Sequence, residues 1–175
     1  MMPAPGEAPK ALYWLPGNCG PMSVWQVLRR FGKRVGAARI VRACRHTEAD
    51  GCYGIGLALA LHEFGLRVAF HTGPDPAIEP REAECYEVAR RVGLPVGPAL
   101  ELAELRRLVR RRTAIVYLAG TDGGGHFSPL VGFRRGRAML PYTEDIGLPV
   151  AEFEARWSGP GYPRQCMLVS AAPGT

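Results

Sequence analysis

The chain has 175 residues, of which 47% are hydrophobic and 22% are charged. This length fits one domain with a complete core, so we expect a single domain over residues 1–175. No stretch approaches the roughly 20 uninterrupted apolar residues of a membrane-spanning helix, which argues against a membrane span. No secretory signal is recognisable near the N-terminus, so we expect a cytoplasmic protein.

The formal net charge of +6 raises the question of a nucleic-acid partner. The positive residues are mostly arginines spread over predicted helices, and no basic stretch is interleaved with aromatic residues, so the pattern does not favour nucleic acid. The five cysteines are an odd number without a C-x-x-C pair, which argues against a disulfide framework and a structural zinc site. Cys44 and Cys52 could pair, but a reducing compartment favours free thiols.

Hydrophobic spacing predicts mainly helices in the first half of the chain and strands in the second. The predicted helices cover residues 20–32, 37–44, 54–64, 81–92, 101–111 and 150–157. The predicted strands cover residues 67–71, 113–118, 126–133, 137–142 and 165–170, with a hairpin turn at 134–136 and a loop at 143–149. We expect an α+β fold in which the helical half packs on a C-terminal antiparallel sheet, with a functional groove between the halves.

Cys19 is the leading candidate for a nucleophile. It stands directly before a helix that starts with Gly20-Pro21. The unpaired backbone N–H groups of a first helical turn stabilise negative charge, which predicts a lowered pKa for the Cys19 thiol.

His126 is the leading candidate for a base. It follows three glycines, 123–125, and opens the predicted strand HFSPLVGF. A cysteine at a helix start and a histidine at a strand start, distant in sequence, are typical of papain-type peptidases. Bare backbone at Gly125 would let a substrate chain approach the histidine closely.

Five segments of the chain, taken together, resemble the bacteriocin-processing (double-glycine leader) peptidase family and its stand-alone papain-like relatives. They are NCGPMSVWQVLRRFG, GIGLALALHEFGLRV, TAIVYLAG, GGHFSPLVGF and PVAEFEARW. The resemblance implies a papain-like fold, with Cys19 as nucleophile and His126 as general base and later acid. It also implies a peptide or protein substrate, and the thioester chemistry requires no metal or organic cofactor. The segment GHFSP alone is also similar to phytochelatin synthases.

The chain departs from the family pattern at the oxyanion hole. Family members usually have a glutamine about six residues before the nucleophile, where this chain has Tyr13 and Trp14. The backbone N–H of Cys19 can supply one donor to a developing oxyanion. The Tyr13 hydroxyl and the Asn18 amide are the candidates for the second donor.

The residue that orients the histidine is the second departure. An ungapped comparison places the family's Asp or Asn at Tyr142. A tight turn at Arg135-Gly136 instead pairs position 126 with position 145, which favours Asp145, with Glu144 as a weaker substitute. Without an orienting acid, the imidazole would depend on packing for its orientation.

Two alternatives to a peptidase remain open, the first of them because of these departures. One is a pseudoenzyme that keeps the groove and binds a peptide or protein partner without turnover. The other is a transpeptidase that acts on glutathione-like thiols. The second oxyanion donor and the group bonded to the His126 ring distinguish the three functions.

Overall fold

The structure, a computed structural model, describes residues 5–75, 77–121, 123–141 and 144–172, and the side chains at positions 5 and 144–146 lie outside this description. Its helices, after a 3-10 turn at Pro5–Glu7, are α1 (Lys10–Tyr13), α2 (Cys19–Arg30), α3 (Ala37–Ala43), α4 (Gly54–Glu63), α5 (Pro80–Arg91), α6 (Leu102–Leu108) and α7 (Val150–Trp157). The strands are β1 (Leu66–Thr72), β2 (Val96–Pro98), β3 (Thr113–Ala119), β4 (Gly125–Leu130), β5 (Gly132–Arg134), β6 (Arg137–Leu140), β7 (Glu144–Pro149) and β8 (Cys166–Ala171).

The six predicted helices are all present within a few residues of their expected bounds. Helix α2 ends where Gly32 takes a left-handed conformation, with a φ of 71°, and α5 has a proline in its first turn. Among the described residues, no helix is both long enough and apolar enough to cross a lipid bilayer. The helical assignments therefore followed from apolar periodicity and from glycine and proline signals.

The main sheet has five strands in the order β2-β1-β8-β3-β4. Its pairings are antiparallel except for β1 with β2, so the sheet is mixed and not wholly antiparallel as predicted. Strand β1 comes from the helical half of the chain and pairs with β8 from the end of the chain. The helical and sheet-forming parts of the chain are therefore not fully separate, but the fold is still of the α+β class.

The second sheet corrects two expectations. The predicted strand 126–133 is divided at Val131 into β4 and β5, so that β4 joins the main sheet and β5 starts a three-stranded sheet, β5-β6-β7. The predicted loop 143–149 contains β7. The Arg135-Gly136 turn is present, because both residues have positive φ, 48° and 74°, as a two-residue hairpin requires.

Two hydrophobic clusters cover opposite faces of the main sheet. The first joins α2, α3 and α4 to residues of the sheet such as Ile115, Phe127 and Met167. The second joins α6 and α7 to neighbouring strand residues that face the other way, such as Val116 and Leu168. Because consecutive strand residues alternate between faces, β3 and β8 contribute to both clusters and hold the two helical layers at a fixed separation.

Trp157 anchors the second cluster, and its truncation tests the packing of that cluster. Its side chain is fully buried, stacks on Phe153 with a centroid separation of 5.7 Å, and donates from Nε1 to the Gln165 carbonyl oxygen at 3.0 Å. We expect Trp157→Ala to lower the free energy of unfolding by about 3–5 kcal/mol in urea titrations. Trp14→Ala is the matched control, because Trp14 is 76% exposed and its loss should change stability by less than about 0.5 kcal/mol. Equal losses in the two variants would contradict this assignment of the core.

Candidate active site

Cys19 lies at the start of α2, as its first residue and not directly before it as predicted, and is half-buried. The helix runs for twelve residues, and its middle is buried against the rest of the first cluster. Residues 20–28 are all buried, so the start of the helix is held firmly in the domain. The sulfur atom is therefore presented from a rigid element, as a nucleophile requires.

Strand β4 lies at one end of the main sheet and pairs with β3. Pro129, opposite Ile115, has no N–H and cannot exchange ladder hydrogen bonds with it. Residues two apart on a strand direct their backbone groups the same way, so Phe127 also turns its N–H and C=O away from β3. Proline thus fixes which backbone groups of β4 face outward.

Helix α2 binds both outward-facing backbone groups of Phe127. The backbone N–H of Phe127 hydrogen-bonds the Cys19 sulfur, and the Ser23 hydroxyl donates to the Phe127 carbonyl oxygen at 3.1 Å. Cys19 and Ser23 are four residues apart and therefore share one face of the helix. The structure therefore places α2, which begins at Cys19, against Phe127, the residue that follows His126.

His126 is the second residue of β4 and is half-buried. It pairs with Leu118 on β3, at a position where the two strands exchange backbone hydrogen bonds. Its backbone is thus fixed by the sheet on one side, and its neighbour Phe127 is fixed by α2 on the other. The separation between the backbones of Cys19 and His126 is set by ordered secondary structure and not by a loop.

The predicted lowering of the Cys19 pKa is wrong for the site as it stands. Burial raises the pKa of Cys19 above its ordinary value, and the nearby thiol of Cys52 adds to the increase. The backbone N–H groups of Phe127, Gly20 and Cys19 lower the pKa, but less than burial raises it. The thiol is therefore neutral at pH 7 unless another group takes its proton.

The Asn18 side chain, one of the candidate second donors, is bonded to α1. Its amide nitrogen donates to the carbonyl oxygens of Leu12 at 3.1 Å and Tyr13 at 2.7 Å, which ties the start of α2 to the end of α1. Tyr13 is 48% exposed and packs edge-on against the ring of Trp14, with centroids 5.0 Å apart. Of the two predicted second donors, the Tyr13 side chain is the more accessible.

Position 125 is restricted to glycine by a steric contact that the sequence did not indicate. A side-chain carbon at this position would collide with the hydroxyl end of the Tyr117 ring. Tyr117 also stacks with Phe127 at 4.7 Å and with Tyr162 at 5.5 Å, and the Tyr162 hydroxyl donates to the Gly124 carbonyl oxygen at 3.0 Å. The glycine is therefore required by the position of Tyr117. Gly125 is itself exposed, and its expected role in admitting a substrate chain stays a prediction.

The residues proposed to orient His126 lie largely outside the described structure. Tyr142 lies outside the described residues, and Glu144 and Asp145 are described only as backbone in β7. The expected pairing of position 126 with position 145 is wrong for the described strands, because β4 pairs with β3 and Glu144 lies opposite Leu140 on β6. The chain reverses after Leu140, which ends the hairpin register. The role of Asp145 stays a prediction.

Three residues near the site were not singled out from the sequence. Ser23 could have been found, because it lies one helical turn after Cys19. Tyr117 and Tyr162 could not, since their positions depend on the sheet register and on a loop. Cys52 was considered only as a partner of Cys44, and its proximity to α2 depends on tertiary packing. Within the described part of the chain, no group of three or more His, Cys, Asp or Glu side chains could hold a metal ion.

Two solved structures share this fold. The double glycine motif protease from an AMS/PCAT transporter, crystallised with its leader peptide, has a TM-score of 0.53 and 18% identity, over 88% of this chain and 84% of that chain. The peptidase domain of Streptococcus ComA, a bifunctional ABC transporter involved in quorum sensing, has a TM-score of 0.52 and 12% identity, over 88% and 91%. No family model and no curated protein matches the chain. The predicted papain-like fold, and the resemblance to double-glycine leader peptidases at the level of fold, are confirmed.

The Ser23 hydroxyl provides a test of how the site is held together. Ser23→Ala leaves the buried Phe127 carbonyl oxygen without this donor, which we expect to lower the free energy of unfolding by about 1–3 kcal/mol and to slow iodoacetamide labelling of Cys19. Ser158→Ala is the matched control, because Ser158 makes a similar bond to the Glu154 carbonyl oxygen at 2.8 Å in α7. If both variants label Cys19 at the wild-type rate, Ser23 does not position the site.

The raised pKa of Cys19 predicts the pH dependence of its alkylation. In His126→Ala, the Cys19 thiolate should appear only as the pH rises above the ordinary thiol value of about 8.5, because burial favours the neutral thiol. In the wild type, proton transfer to His126 should add reactivity near neutral pH. Rates measured between about pH 6 and pH 10, with peptide mass spectrometry identifying the modified cysteine, separate the two cases. Superimposable profiles would contradict proton transfer to His126.

Proposed function

We propose that the protein is a cysteine peptidase that cleaves a peptide or amide bond through a thioester on Cys19, with His126 as its base. The observation that carries the proposal is the attachment of α2 to Phe127 through both Cys19 and Ser23. This attachment holds the nucleophile beside the strand residue that precedes Phe127. The shared fold with two peptidase domains supports the same class of chemistry.

In the proposed reaction, His126 takes the thiol proton as the Cys19 sulfur attacks the scissile carbonyl carbon. The carbonyl oxygen becomes an oxyanion that accepts a hydrogen bond from the Cys19 backbone N–H. The C–N bond then breaks, the leaving amine takes the proton from His126, and a thioester remains on Cys19. Water, deprotonated by His126, attacks the thioester and releases the acid and the free thiol. No metal or organic cofactor is needed for these steps.

The raised pKa of Cys19 fits this sequence of steps. A neutral thiol beside an imidazole reacts when the proton moves between them, and three backbone N–H groups already face the sulfur to stabilise the anion. Burial keeps the Cys19 thiol neutral in the resting state. We assign the second oxyanion donor to the Tyr13 hydroxyl, because the Asn18 amide is bonded to α1.

The substrate in this proposal is a peptide or protein in the cytoplasm. The double glycine motif protease with which this chain shares its fold was crystallised with a leader peptide, which makes a peptide containing a double-glycine site the first substrate to test. We propose that Asp145 orients the His126 ring, with Tyr142 as the alternative.

Binding of a peptide without cleavage is the second candidate function. One observation favours it: the Asn18 amide, a candidate second oxyanion donor, is bonded to the carbonyl oxygens of Leu12 and Tyr13. A protein of this kind would retain the groove and its contacts with a peptide chain, and it would release the peptide intact.

Incubation with synthetic double-glycine peptides, followed by mass spectrometry, tests the proposal. We expect cleavage by the wild type, a loss of at least about a hundredfold in Cys19→Ala and His126→Ala, and a smaller loss in Asp145→Asn. Tyr142→Phe should have little effect. Cys166→Ala is the matched control, because Cys166 is a fully buried thiol in the second cluster. Intact peptide with saturable binding, measured by fluorescence anisotropy, would establish the second candidate instead.

A further inference from the structure

Three of the five cysteines lie at or near the start of α2. Cys19 begins that helix, Cys44 directly follows α3, and Cys52 lies two residues before α4. Cys19 and Cys52 are half-buried, and Cys44 is fully buried. All three are free thiols. The proposed reaction uses only Cys19, so the other two thiols of this cluster have no assigned role.

Cys52 lies directly against the first turn of α2. A side-chain carbon at Gly20, the residue after Cys19, would lie 3.1 Å from both the Cβ and the Sγ atoms of Cys52. The absence of a side chain at Gly20 therefore lets the Cys52 thiol approach the helix start. The thiol of Cys52 also contributes to the raised pKa of Cys19.

The loop that carries Cys52 is held against the segment before Cys19. The His46 ring forms a hydrogen bond with the Pro16 carbonyl oxygen at 2.8 Å, and Thr47 and Gly51 exchange backbone hydrogen bonds of 3.0 and 2.9 Å. These bonds restrain the two chain segments that carry Cys19 and Cys52, and so they hold the two half-buried thiols near each other. On its other side, the thiol of Cys52 hydrogen-bonds the buried thiol of Cys44.

We propose that Cys52 is the resolving thiol for Cys19, so that oxidation of Cys19 by a peroxide ends in a Cys19–Cys52 disulfide. This inference rests on the proposed function only in that it takes Cys19, the residue protected from irreversible oxidation, to be the nucleophile. The thiolate form of a partly exposed cysteine is open to oxidation, and without a neighbouring thiol its sulfenic acid can be oxidised further to the irreversible sulfinic acid. A disulfide to Cys52 stops this sequence at a state that thiols can reverse.

The chemistry requires a peroxide as oxidant and a thiol as reductant. The Cys19 sulfur attacks one peroxide oxygen, the O–O bond breaks, and the products are the Cys19 sulfenic acid and water when the oxidant is hydrogen peroxide. The Cys52 sulfur then attacks the Cys19 sulfur, the S–O bond breaks, and a second water leaves with the Cys52 proton. Two cysteine sulfurs together lose two electrons, and an external dithiol returns them.

Thiol mapping after treatment with hydrogen peroxide tests the proposal without reference to turnover. In the wild type, digestion without reductant should yield a peptide containing residue 19 linked to one containing residue 52, and dithiothreitol should restore labelling of both. In Cys52→Ala, and in Cys52→Ser as a second variant, sulfinic acid on Cys19 should rise by about tenfold or more. Cys44→Ala should keep the Cys19–Cys52 link, and Cys166→Ala should behave as the wild type.

Two results would overturn the proposal. One is equal formation of Cys19 sulfinic acid with and without Cys52, in variants whose circular dichroism matches the wild type. The other is a Cys44–Cys52 link that forms to the same extent in Cys19→Ala, because oxidation would then bypass the nucleophile. Failure to cleave any peptide would leave this mapping unaffected, so the two proposals can fail separately.

Discussion

The site depends on one contact, in which α2 satisfies both outward-facing backbone groups of a single residue on β4. Phe127 lies on β4, which is an edge strand of the five-stranded sheet. On the side of β4 that faces away from β3, its N–H and C=O groups need hydrogen-bond partners from outside the sheet. The sulfur of Cys19 and the hydroxyl of Ser23 take these places. The bond that completes the sheet edge is thus also the bond that places the nucleophile.

The environment of the thiol is a balance between two physical effects. Close packing around the start of α2 removes water and favours the neutral thiol, whereas converging backbone N–H groups favour the thiolate. Burial prevails in the resting protein. A nucleophile that is neutral at rest is less exposed to unwanted alkylation and oxidation, and its activation then depends on a nearby base.

Much of the fold could be predicted from sequence, because apolar periodicity and glycine or proline signals determined the helices. The β-branched run at 113–118 likewise marked a buried strand. The parallel β1–β2 pair and strand β7 could not be predicted, because short strands acquire their identity from pairing partners that are distant in sequence. The positions of Cys19 and His126 on a helix start and a strand start followed from local patterns.

The surroundings of the site were less predictable than its two main residues. The lowered pKa expected for Cys19 rested on the helix end alone, and no local pattern indicates how deeply a side chain will be buried. The engagement of Asn18 with α1 and the close approach of Tyr117 to Gly125 both arise from tertiary contacts. The 126–145 pairing failed because it assumed that a hairpin register continues beyond its turn-proximal residues.

Pro129 has a consequence for how this site can tolerate change in evolution. Because it determines which positions on β4 pair with β3, insertion or deletion of one residue between positions 127 and 129 would reverse the outward and inward assignment for Phe127. Substitutions in β4 leave this alternation of outward and inward groups unchanged, whereas insertion or deletion of one residue shifts it. Length variation in this part of the chain should therefore accumulate before Gly125 or after Leu130, where the strand ends.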